Sequence, residues 1–202
     1  MSREKLFLLN PGHGGLIHGV YQTAPKKMYR HPDDVAYEGV INRKIAKLVV
    51  DGMREKQMMV SNICPSELDI PLDMRADTVN LYCREYGTSN CLLIELHCNA
   101  GKGTGFEIWT SVGETKSDFY ADEFVHHYED AFPKHRIRKD TSDGDVDKES
   151  QFYMLKNSKC PAILPEWLFF DNYDDWKIQR DPIMQKRYAE MIITFTQHVQ
   201  FT

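Results

Sequence analysis

The chain has 202 residues, a length suited to one domain with its own core. Hydrophobic residues make up 42% of it and charged residues 27%, the balance of a folded globular chain rather than a disordered one. A formal net charge of −5 at pH 7 argues against a nucleic-acid partner, and no apolar run is long enough to span a membrane.

The first apolar run, residues 5–9, stops at Asn10-Pro-Gly-His13-Gly-Gly and reads as a buried strand feeding a tight turn. Residues 16–34 are mixed and polar, carry Pro25 and Pro32, and read as a long loop. Over residues 37–56 the positions Val40, Ile41, Ile45, Leu48, Val49 and Met53 recur at helical spacing. A strand is expected over 57–64. A second helix is expected over 72–86, with Met74, Val79, Leu81 and Tyr82 among its apolar positions.

Residues 91–97 form another buried strand, ending at Asn99-Ala-Gly, and 105–110 a further one. Residues 117–132 are amphipathic, with Ser117 as the N-cap. Residues 134–150 are almost entirely polar and read as an exposed loop. A strand over 160–164 runs on to Glu166, and a last helix opens at Asp181-Pro182, a cap followed by proline at the first helical position. Strands alternate with helices throughout, which favours an α/β three-layer fold with a mostly parallel sheet. Sites in such sheets lie at the carboxyl ends of strands.

Three expected strand ends carry reactive side chains: His13, His97 and Glu166. Glu38 sits in the first turn of the first long helix. Zinc accepts imidazole and carboxylate ligands, and a catalytic zinc keeps three protein ligands and one open position. His13, Glu38 and His97 match that set, which leaves Glu166 to move protons. Each residue also has an ordinary alternative. The glycine-flanked His13 suits a plain turn, Glu38 a helix N-terminus, His97 a hydrogen-bonded core position, and Glu166 a solvated strand end.

The motifs Asn10-Pro-Gly-His13-Gly-Gly, Glu38-Gly-Val-Ile-Asn42, Glu95-Leu-His97-Cys-Asn99-Ala100, Gly105-Phe-Glu107 and Pro161-Ala-Ile-Leu-Pro-Glu166 occur in this order. With Leu72-Asp-Met-Arg75 and Asn80, they resemble the zinc-dependent N-acetylmuramoyl-L-alanine amidases, a family of cell-wall amidases and phage endolysins. The resemblance runs from about residue 6 to 172. It implies a mixed six-stranded sheet flanked by helices, Zn2+ held by His13, Glu38 and His97, and Glu166 as the catalytic carboxylate. It implies hydrolysis of the amide joining N-acetylmuramic acid to L-alanine in peptidoglycan. Glu95, Asn99 and Arg75 are then expected to touch substrate or orient a ligand. Three features depart from the family pattern: Glu95 stands where serine is usual, Leu168 where glycine is usual, and the loop before Glu38 is long.

No linker or repeat divides the chain, so residues 1–202 are expected to form a single catalytic domain with no separate wall-binding unit. The first residues show no signal-peptide pattern. This suggests synthesis in the cytoplasm, action on the wall after release, and an endolysin role. Peptidoglycan is the expected partner, with no nucleic acid or membrane, and a monomer is favoured. A zinc peptidase cutting within the stem peptide and a non-catalytic wall-binding protein are the alternatives.

Other reactive residues have simpler readings. His126-His127 diverge by about 100° on a helix, so they do not share a metal and read as surface residues. His18 and His31 lie in the long loop and are not expected to be ligands. Cys98 faces away from His97 by strand alternation, so the two form no dyad. The five cysteines are odd in number, lack a CxxC pair, and read as reduced buried thiols. The basic run Lys134-His-Arg-Ile-Arg-Lys139 reads as solvated, with contact to acidic substrate groups as the alternative.

Overall fold

The computed structural model describes residues 4–23, 27–142 and 144–202. In chain order its elements are β1 (Leu6–Pro11), β2 (Leu16–Ile17), β3 (Val20–Tyr21), β4 (Met28–Arg30), β5 (Val35–Tyr37), α1 (Glu38–Glu55), β6 (Val60–Asn62), α2 (Leu72–Tyr86), β7 (Cys91–Asn99), β8 (Glu107–Thr110), α3 (Lys116–Ala131), β9 (Lys148–Glu149), α4 (Tyr153–Asn157), β10 (Ala162–Phe169), α5 (Tyr173–Arg180) and α6 (Pro182–Val199).

β1 is buried along its whole length. Phe7 and Leu9 feed one apolar cluster while Leu6 and Leu8 feed another. A strand with no solvent face needs a covering layer on each side, and it has two. Helices α1, α3 and α6 cover the first face with Ile45, Val49, Phe124, Tyr128, Ile192 and Phe195. The second face is covered more thinly, by Ala76, Val79 and Cys83 of α2 and by Met154 and Leu155 of α4. Among the described residues, six strands pair in the order β6-β1-β7-β10-β8-β9. The run from β6 to β10 is parallel, and β8 is antiparallel to β10. The expected α/β three-layer architecture with a mixed, mostly parallel sheet is therefore present. No helix among the described residues is long and apolar enough to cross a membrane.

Alternation along β7 sends Leu92, Ile94, Leu96 and Cys98 to the thick face and Cys91 and Leu93 to the thin one. Glu95 and His97 share the thin side, at the carboxyl end of the strand, where covering helices are few. Glu166 of β10 pairs in register with His97. Just beyond it the register shifts, and Leu168 takes a left-handed φ of 63°. That bulge turns Leu168 into the thick-face cluster beside Trp167. Leu168 is the position where the family pattern has glycine. The conformation is one that glycine adopts without steric cost, and the leucine holds it at 2% exposure.

Several sequence expectations are corrected. Residues 16–34 are not a plain loop: β2–β3 and β4–β5 are antiparallel hairpins, although Pro25, within residues 24–26, lies outside the described residues. Helix α3 is capped by Thr115, whose hydroxyl accepts from the Ser117 amide while Asp118 accepts from the Thr115 amide. Ser117 lies inside the helix, and its hydroxyl accepts from the Ala162 amide instead. Met74 and Leu81 are each 56% exposed, because α2 turns Arg75, Ala76, Val79 and Cys83 inward. A short helix, α5, follows the Asn172 cap where no element was expected.

Residues 134–150 are also more than an exposed loop. Ile137 bridges to Phe106, β9 pairs with β8, and Asp147 is only 1% exposed. Asp147 accepts from the Thr110 hydroxyl at 2.6 Å. Burial, together with the negative Asp145 and Asp118, pushes its carboxyl up to about 7. A carboxyl raised in the folded state stabilises fully below its unfolded pKa, and that contribution is lost as pH rises through the folded value. Asp147→Asn keeps an acceptor for Thr110 and is expected to raise the melting temperature at pH 8 but not at pH 4. A melting-temperature gain equal at both pH values would rule out this titration as its source.

Candidate metal centre

The Pro11–Gly15 turn carries His13 away from β1 in a left-handed conformation, φ 65°. Two glycines let it sit close to its neighbours. A Cβ on Gly12 would overlap the His97 ring, and one on Gly39 would overlap the Gly14 carbonyl. The first turn of α1 therefore packs directly against the His13 loop, and Glu38 enters fully buried. Its Oε1 lies 3.2 Å from His13 Nε2 and 2.9 Å from His97 Nδ1. The two imidazole rings stand nearly perpendicular, at 87°. Their nitrogens and the carboxylate all fall within 4.8 Å of one another.

The chemistry of this set fits a zinc ion. Two imidazoles and one carboxylate are ligands zinc accepts. His13 Nε2 and Glu38 Oε2 are both buried and make no hydrogen bond; each has only a charge contact, with Glu38 Oε1 at 3.2 Å and Lys27 Nζ at 3.4 Å, an expensive arrangement for a buried polar atom unless something else engages it. Burial pushes the Glu38 carboxyl up, yet the adjoining His13 and His97 imidazoles outweigh it and hold the group well below the usual range. For His97, burial acts downward, but Glu38 and Glu95 reverse it and raise the imidazole to about 10. His13 moves the other way, lowered by burial despite Glu38. A metal competes with protons for these nitrogens.

Glu95, the departure from the family pattern, has a defined place. It is 1% exposed and accepts both Asn10 Nδ2 hydrogen bonds, at 2.9 and 2.8 Å. Its Oε2 lies 3.8 Å from His97 Nε2, so it faces the ring nitrogen that Glu38 does not use. Asn10 Oδ1 in turn accepts from Arg75 at 2.9 Å. The same guanidinium donates to the Pro11 and His13 carbonyls at 2.9 and 3.1 Å. Arg75 thus fixes the His13 loop and, through Asn10 and Glu95, faces His97. Asn80 does something different: it donates to the Asn157 carbonyl and accepts from the Lys159 amide, tying α2 to the segment before β10.

Glu166 lies across a cleft of about 220 Å³ that His13, His97 and Lys27 also line, with Leu72, Phe152 and Tyr153 as apolar walls. Its Oε2 is buried without a partner, while the side chain keeps an opening to the cleft. Burial first, and the Glu38 charge in addition, push its carboxyl up to about 7 against the opposing pull of His97. Asn99 does not reach this set. Its amide donates to Glu107 at 2.5 Å, and Glu107 also receives Arg138 and Lys148 at 2.8 Å. Arg138, from the basic run, is thus engaged with a carboxylate rather than simply solvated. A larger depression of about 550 Å³, lined by Ser89, Lys159 and Pro161, lies at the opposite end of β7 and β10 and carries none of these groups.

The remaining expectations divide. His31 is a buried core histidine: its Nε2 pairs with the Phe170 carbonyl at 2.9 Å and its ring stacks on Trp176. His18 is exposed in a hairpin turn. Cys98 faces the other side of the sheet, towards Asn42, and all five cysteines are buried thiols. Lys27 was missed. Its Nζ lies 3.4 Å from Glu38 Oε2, yet a lysine in an irregular polar stretch carries no periodic or motif signal.

A family model for N-acetylmuramoyl-L-alanine amidase matches residues 8–197. The chain belongs to this amidase family. Solved amidases share its fold. One from Clostridium difficile 630 superposes with a TM-score of 0.79 at 24% identity, over 98% of this chain and 97% of that one. The catalytic domain of CwlV from Bacillus (Paenibacillus) polymyxa var. colistinus gives 0.74 at 17%, over 98% and 99%. The catalytic domain of the CD27L endolysin, which targets Clostridia difficile, gives 0.66 at 21%, over 99% and 100%. No curated protein matches the chain. The amidase acts in hydrolysis of cell-wall peptidoglycan, and the imidazole–carboxylate cluster lies at the carboxyl ends of its central strands, where such sheets carry their sites.

Proposed function

We propose that this amidase is zinc-dependent, that His13, Glu38 and His97 hold the ion, and that Glu166 moves the protons of the reaction. The bond cut is the amide between N-acetylmuramic acid and L-alanine. The observation that carries this reading is the convergence of two imidazoles and a fully buried carboxylate beside a partnerless carboxyl oxygen on the adjacent strand. Zinc, when bound, supplies Lewis-acid polarisation of the carbonyl and acidifies water. The other roles belong to the chain. Glu38 places its charge between the two rings. Glu95 faces His97 Nε2 and helps fix that ring's orientation. Glu166 takes a proton from the attacking water and returns it to the leaving amine nitrogen, which its raised carboxyl suits near neutral pH. Leu72, Phe152 and Tyr153 give the substrate an apolar wall.

Digestion of purified peptidoglycan with and without a chelator tests this. The expected products are new L-alanine amino termini and free lactyl carboxyl groups, lost with chelator and restored by added zinc. New amino termini elsewhere in the stem peptide would instead establish a peptidase, and no product a binding protein. We also propose an endolysin role, supported by the end-to-end likeness to the CD27L catalytic domain. Cytosolic expression together with a membrane-permeabilising partner should then lyse cells, and intact cells would defeat this assignment.

A further inference from the structure

A second group of metal-ligating side chains lies far from the centre described above. Glu123 and His127 are one turn apart on α3 and so share a face of that helix. His198 stands in the last turn of α6, which packs on α3. Its Nε2 is 3.1 Å from Glu123 Oε2. The His127 and His198 rings lie 5.3 Å apart, and the three ligand atoms fall within 4.8 Å of one another. His127 Nε2 is shielded from solvent and has no hydrogen-bond partner. Its ring meets the buried Phe195 edge-on, which limits where that nitrogen can turn.

We propose that Glu123, His127 and His198 form a second metal site, for a first-row divalent cation such as zinc, that clasps α6 to α3. Two ligands on one tetrahedral zinc stand about 3.4 Å apart, given bonds of about 2.1 Å. The His198–Glu123 pair, at 3.1 Å, stands within a few tenths of an ångström of that spacing, and His198 is 56% exposed, with room to close the rest. His126 takes no part; it faces Asp130 at 3.8 Å. His126 is at the surface, as the sequence suggests, whereas His127 is half-buried with its ring against His198, 71 positions along the chain. Imidazole ligands favour zinc, nickel or copper over magnesium or calcium.

The site is structural and separate from catalysis. The Gln200 carbonyl, just beyond α6, accepts from the Lys5 amide, so His198 lies at the start of β1 whereas His13 lies past its end. A six-residue strand places these ends about 20 Å apart.

The test is zinc stoichiometry on the tag-free full chain, stripped and then dialysed against micromolar zinc. Two zinc ions per wild-type chain are expected, and one per chain in His198→Ala and in His127→Ala, with amidase activity unchanged in both. Saturating zinc should also raise the melting temperature of His13→Ala, which keeps the second site, and of wild type more than that of His198→Ala. Magnesium should do neither. A single zinc in wild type that His13→Ala abolishes, or two that survive in His198→Ala, overturns the proposal. A His198→Ala chain that fails to fold is bypassed by Glu123→Gln, which keeps the helix surface and should still lose one zinc.

Discussion

Glu166→Gln is expected to lower kcat on peptidoglycan by about 10³-fold while the chain stays folded and binds metal. Glutamine has nearly the shape of glutamate, so it preserves the cleft wall between Leu164 and Trp167. It cannot accept a proton from water or return one to a leaving amine. General acid–base groups contribute typically 10²–10⁴-fold, and this residue serves both halves of the reaction. Stability separates loss of chemistry from loss of fold. The Glu166 carboxyl is raised to about 7 in the folded, metal-free chain, chiefly by burial. A raised carboxyl stabilises below its unfolded pKa and loses that contribution as pH rises through the folded value. At pH 8 the metal-free variant should therefore melt no lower than the metal-free wild type. Activity within tenfold of wild type would remove Glu166 from the mechanism. A variant that melts well below wild type would mean that the glutamate holds the fold rather than moving protons.

The parts of this architecture legible in the sequence are those where one physical demand dominates. β1 and β7 are apolar runs because both their faces are covered, and α6 announces itself with Asp181 and Pro182, where the Asp181 carboxylate accepts from the Ile183 amide. His13, His97 and Glu166 stand at strand ends, so a parallel sheet brings them to one edge without further information. What stayed hidden depends on contacts distant in sequence. The two-residue strands β2 and β3 are too short for alternation to register. Ser117 looks like a cap, but Thr115 has the partner that completes one, Asp118 at the third helical position. Lys27 and His198 acquire partners, Glu38 and Glu123, only through tertiary packing. The family resemblance marked Leu168 as unusual. Only the backbone shows why: the chain keeps the left-handed turn and fills the thick-face core with a side chain.

Arg75→Ala is expected to cost about 2–6 kcal/mol of stability, the cost of leaving two buried oxygens without a donor. The guanidinium is 2% exposed and donates to five acceptors: the carbonyls of Ile70, Pro11 and His13, and the side chains of Asn10 and Asp69. Alanine leaves the Asn10 and Pro11 oxygens buried with no replacement donor, and each such group costs about 1–3 kcal/mol. Arg75→Lys should recover only part of this, because three donors on one nitrogen cannot span the set that a planar fork reaches. The effect should reach the metal centre by two routes. The His13 carbonyl loses its anchor, and Asn10 loses the contact that aims its amide at Glu95, the carboxylate facing His97. Residues that orient metal ligands typically cost 10–100-fold in affinity when removed. Zinc affinity of Arg75→Lys should therefore fall at least tenfold under conditions where urea titration shows the variant still folded. Unchanged affinity in that folded variant would confine Arg75 to holding the turn, and a stability loss below about 1 kcal/mol in Arg75→Ala would deny it even that role.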